Sequence, residues 1–261
     1  MTTLREHSVR VNGESVRVWE KGAGRTVGVL AGLLGAPRWT PFLESLAQRH
    51  HVVVPSLPGH AGGGDFRKLD DIADWVSATL DLLDAADLEG ADLVGFGPGA
   101  MLAAECAAFS HPVAGKLVLC APFGLFDASE PVTDFWARRP NQRAATFSAQ
   151  PAEFARDVLA PPAGADELEH QIAQTRALEA AARLLWPNCD RGLAKRLHRV
   201  RNDTLLVWGE RDAIVPASYA KKFAAGITGN ARVHVIPGAG HVLDHDAPTE
   251  LAAAIEEFVG E

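Results

Sequence analysis

Hydrophobic positions in the first half of the chain form short runs and longer stripes that alternate. Arg5–Asn12 and Ser15–Glu20 alternate apolar and polar residues around Asn12-Gly13, a pair that tolerates the positive φ of a tight hairpin turn. Thr26–Leu30 and His51–Pro55 are compact apolar runs, the first leading into AGLLG (31–35) and the second into SLPGHAGGG (56–64). Leu69, Ile72, Trp75, Val76, Leu80 and Leu83 recur at helical spacing with acidic residues on the other face, which predicts a helix over 69–86. Trp39–Gln48 has the same periodicity. Asp92–Phe96 and Lys116–Cys120 read as strands on either side of a helix at Pro98–Phe109. Strands that alternate with helices in this way predict a mainly parallel sheet covered on both faces.

The alternation stops after about residue 130. From Pro131 to Leu197 the pattern is helical and broken by Pro151, Pro161, Pro162 and Pro187, with Glu167–Trp186 the clearest helix. Strands return at Leu205–Trp208 and Arg232–Ile236, and helices at Ala217–Ile227 and Thr249–Val259. The expected organisation is a sheet domain over 1–130 and 199–261, interrupted by a helical cap at 131–198. No internal repeat or low-complexity tract is present.

Composition narrows the function. The 261 residues are 47% hydrophobic and 22% charged, an ordinary globular mixture, and the formal charge of -8 comes without a basic cluster. Such a surface repels phosphate backbones and anionic lipid, so nucleic acid and membranes are not expected partners. No apolar run is long enough to cross a bilayer, and MTTLREHSVR lacks the apolar core of a signal peptide. Cys106, Cys120 and Cys189 form no CxxC pair and are expected to be buried thiols in a reducing cytoplasm.

Candidate chemistry begins with LVGFGPGAMLAAE (93–105), a strand, a glycine-rich turn and a helix in succession. Two layouts fit. Gly95, Gly97 and Ala100 satisfy the dinucleotide fingerprint G-x-G-x-x-G/A, while Gly95 and Gly99 satisfy the ends of the nucleophile elbow G-x-S-x-G. The first needs an acidic residue at the end of the next strand, but that strand ends Leu119-Cys120-Ala121-Pro122, and three strands already precede the turn. Two later stretches favour the second: LLVWGERDAIVP (205–216), a strand ending in a turn that holds Asp212, and VIPGAGHVLDHDAP (235–248), a strand and turn that hold His241.

Together these stretches resemble the α/β-hydrolase superfamily, in which a nucleophile elbow, an Asp in WGxxDxxxP and a His in PGxGH form a triad in that chain order. The resemblance extends to AGLLG at the oxyanion loop, to PSLPGHAGG (55–63) at a D-x-P-G-H-G turn, and to the position of the cap. It implies an α/β-hydrolase fold, with a mainly parallel eight-stranded sheet and a helical cap insertion. It assigns Asp212 and His241 to the triad.

Three departures bear on mechanism. The position that holds serine in the family is Gly97, which has no side chain. The residue after it is Pro98, which has no N–H to give to an oxyanion. The oxyanion loop begins with Ala31 where the family has histidine. An acyl-enzyme route is therefore not expected. His241 oriented by Asp212 would instead act as a general base on water or substrate, without a covalent intermediate. The alternative is an inactive pseudoenzyme that binds a small molecule or partner. Leu33 should supply the remaining backbone donor beside Pro98. Leu34 and Phe96 should form apolar walls, with Trp136 and Trp186 of the cap as further substrate contacts. The expected activity is that of a hydrolase or lyase on a small apolar carbonyl-type compound. No cofactor is implied, and the His241/His245 pair is not expected to hold a metal because Val242 replaces the Glu of H-E-x-x-H. Ser56 and Ser110 are read as structural, and His50 and His51 as solvated.

Overall fold

In a computed structural model, residues 2–187 and 190–260 are described; Cys189 lies outside them. The first two strands, β1 (Arg5–Val11) and β2 (Glu14–Lys21), are antiparallel and meet at the Asn12-Gly13 turn, where both residues have positive φ. They are followed by β3 (Thr26–Leu30), α1 (Pro41–Leu46), β4 (His51–Pro55), α2 (Ile72–Ala85), β5 (Asp92–Phe96), α3 (Pro98–Phe109) and β6 (Leu117–Cys120). The sheet order is β1-β2-β4-β3-β5-β6-β7-β8, and β2 is antiparallel to β4. All pairings from β4 onward are parallel. The last two strands are β7 (Thr204–Gly209) and β8 (Ala231–Ile236).

Every residue of β5, β6 and β7 is buried, which explains their nearly continuous apolar sequences. One core layer packs α2 and α3 on a sheet face through Leu82, Leu83, Met101 and Leu102. The opposite layer is built on α1 and the C-terminal helix, through Phe42, Leu46, Leu251 and Ile255.

Helix starts follow capping chemistry more closely than the apolar stripe. Asp71 caps α2 and forms a reciprocal capping box with Asp74, so the helix begins at Ile72 rather than Leu69. Thr40 caps α1 and Pro41 fills its first position, which shortens the expected Trp39–Gln48 helix at both ends. Between β6 and β7 lie α4 (Arg143–Phe147), α5 (Pro151–Phe154), a π-helical turn (Ala155–Leu159) and α6 (Glu167–Leu185), with no strand among the described residues. Downstream come α7 (Tyr219–Gly226), α8 (Leu243–Asp246) and α9 (Pro248–Gly260). No helix among the described residues is long and apolar enough to cross a membrane.

His50 departs from expectation. It is buried because the Gly22 turn lies directly on the 47–50 backbone; a Cβ at Gly22 would stand 1.9 Å from the His50 carbonyl oxygen. His51 is partly exposed and meets Glu20 through Nε2 at 3.0 Å.

The chain leaves β3 toward β4 and leaves β5 toward β6, in opposite directions across the sheet. The two adjacent carboxyl ends therefore flank a crevice, the position where open α/β sheets hold ligands.

Candidate active site

Two loops meet at that crevice. Residues 31–40 follow β3, and Gly97 follows β5 as the N-cap of α3, with φ 48° and ψ −111°. Its N–H donates to the Cys120 carbonyl at 2.9 Å, and its own carbonyl accepts from Met101 N–H at 3.0 Å. The three glycines of this turn differ. A Cβ on Gly95 would lie 2.5 Å from Ala100 Cα, and one on Gly99 would lie 2.4 Å from the Leu30 carbonyl oxygen, so both are required by close packing. A Cβ on Gly97 would lie 3.3 Å from His241 Nε2 and 3.3 Å from Phe123 Cε2, a tight but occupiable space. Gly97 thus leaves a slot facing the imidazole, and its steric environment does not exclude a small side chain.

His241 is buried, and its Nδ1 donates to Asp212 Oδ2 at 2.9 Å. The other oxygen, Asp212 Oδ1, accepts from the N–H groups of Ile214 (2.8 Å) and Val215 (3.0 Å). These bonds fix the carboxylate after β7 and leave Oδ2 to orient the ring. With Nδ1 engaged by Asp212, Nε2 is the ring nitrogen that faces Gly97. Phe123 packs edge-on against the imidazole at 5.5 Å.

The His241 turn is also tied to the segment between β6 and β7. His241 N–H donates to the Phe147 carbonyl at 3.0 Å. Asp246 accepts from the N–H groups of Gly240 (2.7 Å) and Ala149 (2.8 Å) and from the Ser148 hydroxyl. Burial opposes the Asp246 carboxylate, but these donors and His245 hold its pKa below the usual value.

A cavity of about 450 Å³ opens onto the couple and is lined by Leu33, Leu34, Phe96, Gly97, Phe147, Phe154 and His241, among others. The structure therefore brings Leu33, Leu34, Phe96, Gly97 and His241 to one cavity. Asp212 stands behind His241, and Pro98 is buried at the first position of α3, where a missing N–H disturbs no helical bond. The Leu33 N–H donates to no group among the described residues.

Trp136 and Trp186 are not part of this lining. Trp136 stacks on Phe135 at 3.9 Å, meets Trp186 edge-on at 6.1 Å, and donates its indole N–H to the Leu178 carbonyl of α6. Trp186 is 53% exposed. Both serve the packing and surface of α6, and Phe147 and Phe154 supply the aromatic walls instead. Ser56 is buried and its hydroxyl meets Arg17 Nε at 3.2 Å. No group of three or more His, Cys, Asp or Glu side chains able to hold a metal occurs among the described residues.

The lining also includes Arg38, Gln150 and Asp157, which the motifs did not indicate, and Asp244 and His245 from the stretch that holds His241. Arg38 lies only three residues beyond AGLLG, so its loop was identifiable from the sequence although its role was not.

The sequence model of the Alpha/beta hydrolase family matches residues 28–254. The 2-hydroxymuconate semialdehyde hydrolase of Pseudomonas sp. (strain CF600) is 27% identical over 88% of this chain and 83% of its own. The dihydrolipoyllysine-residue acetyltransferase component of the acetoin cleaving system of Pseudomonas putida is 28% identical over 95% of this chain and 68% of its own. A solved structure of a bacterial membrane phospholipase A superposes with a TM-score of 0.79 at 21% identity, covering 98% of this chain and 86% of that one, which shows the shared fold. The eight-stranded sheet with its flanking helices, and a match spanning both the Gly97 and His241 turns, place this chain in the alpha/beta hydrolase family.

Proposed function

We propose that this protein hydrolyses a small carbonyl compound by direct attack of water, with His241 as general base and Gly97 standing where a serine hydrolase carries its nucleophile. The observation that carries this reading is the 3.3 Å separation between a Cβ position on Gly97 and His241 Nε2. In a serine enzyme the hydroxyl would extend from that Cβ toward the imidazole. Here no side chain stands between, and water enters through the cavity that both residues line to reach Nε2.

His241 Nε2 takes a proton from that water as its oxygen attacks the substrate carbonyl carbon. Asp212 stabilises the imidazolium through Nδ1. The tetrahedral oxyanion faces the Leu33 N–H, since Pro98 offers no donor. Collapse of the adduct breaks the bond to the leaving group, which receives the proton from His241. The products are a carboxylic acid and the protonated leaving group, and no bond to the protein is formed.

The cavity walls and the relatives support the substrate class. Leu33, Leu34, Phe96 and Phe147 favour an apolar body. The relative from strain CF600 is named for hydrolysis of a semialdehyde, and that alignment spans most of both chains.

Turnover of a panel of carbonyl compounds by wild type, His241→Ala and Asp212→Asn tests the proposal. Loss of general-base catalysis costs about a hundred- to ten-thousand-fold; His241→Ala should fall in that range and Asp212→Asn should also lose activity. Unchanged turnover in His241→Ala refutes the mechanism. Binding across the panel without turnover would instead identify a binding protein.

A further inference from the structure

We infer that Arg38 is the anion-recognition residue of the cavity, and that the ligand carries a carboxylate as well as the carbonyl on which His241 acts. The inference rests on the site proposed above and adds a requirement that this site does not impose.

Arg38 lies on the same cavity lining as Gly97 and His241. Its Nη2 donates to the Ala160 carbonyl at 3.1 Å, which anchors the guanidinium at the seam between the 31–40 loop and the segment after α5. Its Nε is buried and has no hydrogen-bond partner. A buried N–H left unpaired is unfavourable, the more so when it belongs to a charged group. Arg38 forms no ion pair within 4.0 Å among the described residues, whereas Asp157 and His245 of the same lining are paired.

The acidic residues of the lining do not compensate it. Asp157 is paired with Arg156 at 2.8 Å and approaches His245 at 3.8 Å. His245 is raised from its ordinary pKa, first by its hydrogen bond with Asp246, so its positive form is favoured. Burial pushes the Asp244 carboxyl up, toward its neutral form. Glu153 is exposed at the cavity edge. Arg38 is therefore a cation on the largely apolar cavity wall, anchored by the Ala160 carbonyl and without an ion-pair partner among the described residues. A guanidinium in that state matches a carboxylate, which accepts in the plane of its N–H groups and neutralises the charge.

Calorimetric titration with 2-oxo-4-phenylbutanoate and with the neutral ketone 4-phenylbutan-2-one tests this on wild type, Arg38→Met, Arg38→Lys and His241→Ala. The ketone keeps the apolar body and carbonyl but lacks the anion and has no leaving group. Wild type should bind the acid at least ten-fold more tightly than the ketone. Arg38→Met should remove that preference and leave ketone affinity within about two-fold, which also shows that the cavity is intact; Arg38→Lys should restore part of the preference. His241→Ala should still bind the acid, because recognition and proton transfer use different residues. Equal affinity of wild type for acid and ketone, an unchanged preference in Arg38→Met, or no binding of the acid at millimolar concentration overturns the inference. Arg38-dependent binding without any turnover would leave it standing and count against the catalytic proposal alone. His241-dependent turnover indifferent to Arg38 would do the reverse.

Discussion

Introducing a serine at Gly97 separates the contributions of nucleophile and oxyanion donor. Gly97 adopts φ 48° and ψ −111°, a conformation that residues with a Cβ rarely occupy, so Gly97→Ser should cost about 1–3 kcal/mol in stability. The new Cβ would contact His241 Nε2 and Phe123 Cε2, each at 3.3 Å, which small shifts of those two rings can relieve. The variant should therefore fold. Its hydroxyl should reach His241, yet it should remain a poor esterase because Pro98 still lacks an N–H. Absence of one oxyanion donor costs about a hundred- to a thousand-fold in kcat. The double variant Gly97→Ser/Pro98→Ala should recover that factor, since alanine at the first helical position supplies the missing N–H. Initial rates with p-nitrophenyl acetate, beside urea denaturation curves for each variant, measure both effects. A single Gly97→Ser variant as active as the double variant would refute the assignment of Pro98 as the missing donor. Gly97→Ser should also slow the water-dependent reaction of the wild type, because the hydroxyl fills the space proposed for water.

Two further outcomes concern stability. His60 is buried and its pKa is lowered to about 4, first by burial and then by Arg17. An unfolded histidine titrates near 6.5, so below that pH the unfolded chain gains a proton that the folded chain resists. Stability is full above about pH 6.5 and falls toward pH 4, by roughly 2 kcal/mol between pH 7.5 and 5 from this residue alone. Urea titrations at the two pH values should show that drop, and His60→Asn should shrink it; an equal drop in the variant contradicts the assignment. Gly35 packs against the His60 ring, so the same acidification should loosen the loop that carries Leu33 and Arg38. The Glu105 carboxylate has no exposed side-chain surface and is held bidentately by Arg196 at 2.6 and 2.7 Å. Removing one partner of such a pair costs about 3–5 kcal/mol, so Arg196→Met should lower Tm by roughly 10 °C. A change under 2 °C by calorimetry would show that Glu105 is not dependent on it.

Much of this architecture was legible in the chain because its signals are local. The fully buried runs of β5 and β7 read as strands without help from partners, and Asn12-Gly13 set the hairpin. Asp212 and His241 stand in short turns directly after strands, so their meeting followed once the parallel sheet was recognised. Features decided by distant packing were not legible. Trp136 and Trp186 share one aromatic cluster on α6 and not the cavity, which only the fold of the 131–198 segment determines. His50 is covered by a glycine turn remote from it in sequence. Arg38, in a loop with Pro37 and Trp39, reads as an ordinary surface cation until the Ala160 carbonyl and the cavity enclose it. Helix starts moved to Asp71 and Thr40 because a cap satisfies several N–H groups that an apolar stripe does not register.

The central claim is that the chain assists hydrolysis without becoming acylated. Intact-protein mass spectrometry during steady turnover of a substrate whose conversion requires His241 tests it most directly, with rapid acid quenching to preserve any ester. The wild-type chain should keep its unmodified mass at every time point while product accumulates. A transient increase equal to the acyl fragment, mapped to any residue and formed as fast as product, would contradict it.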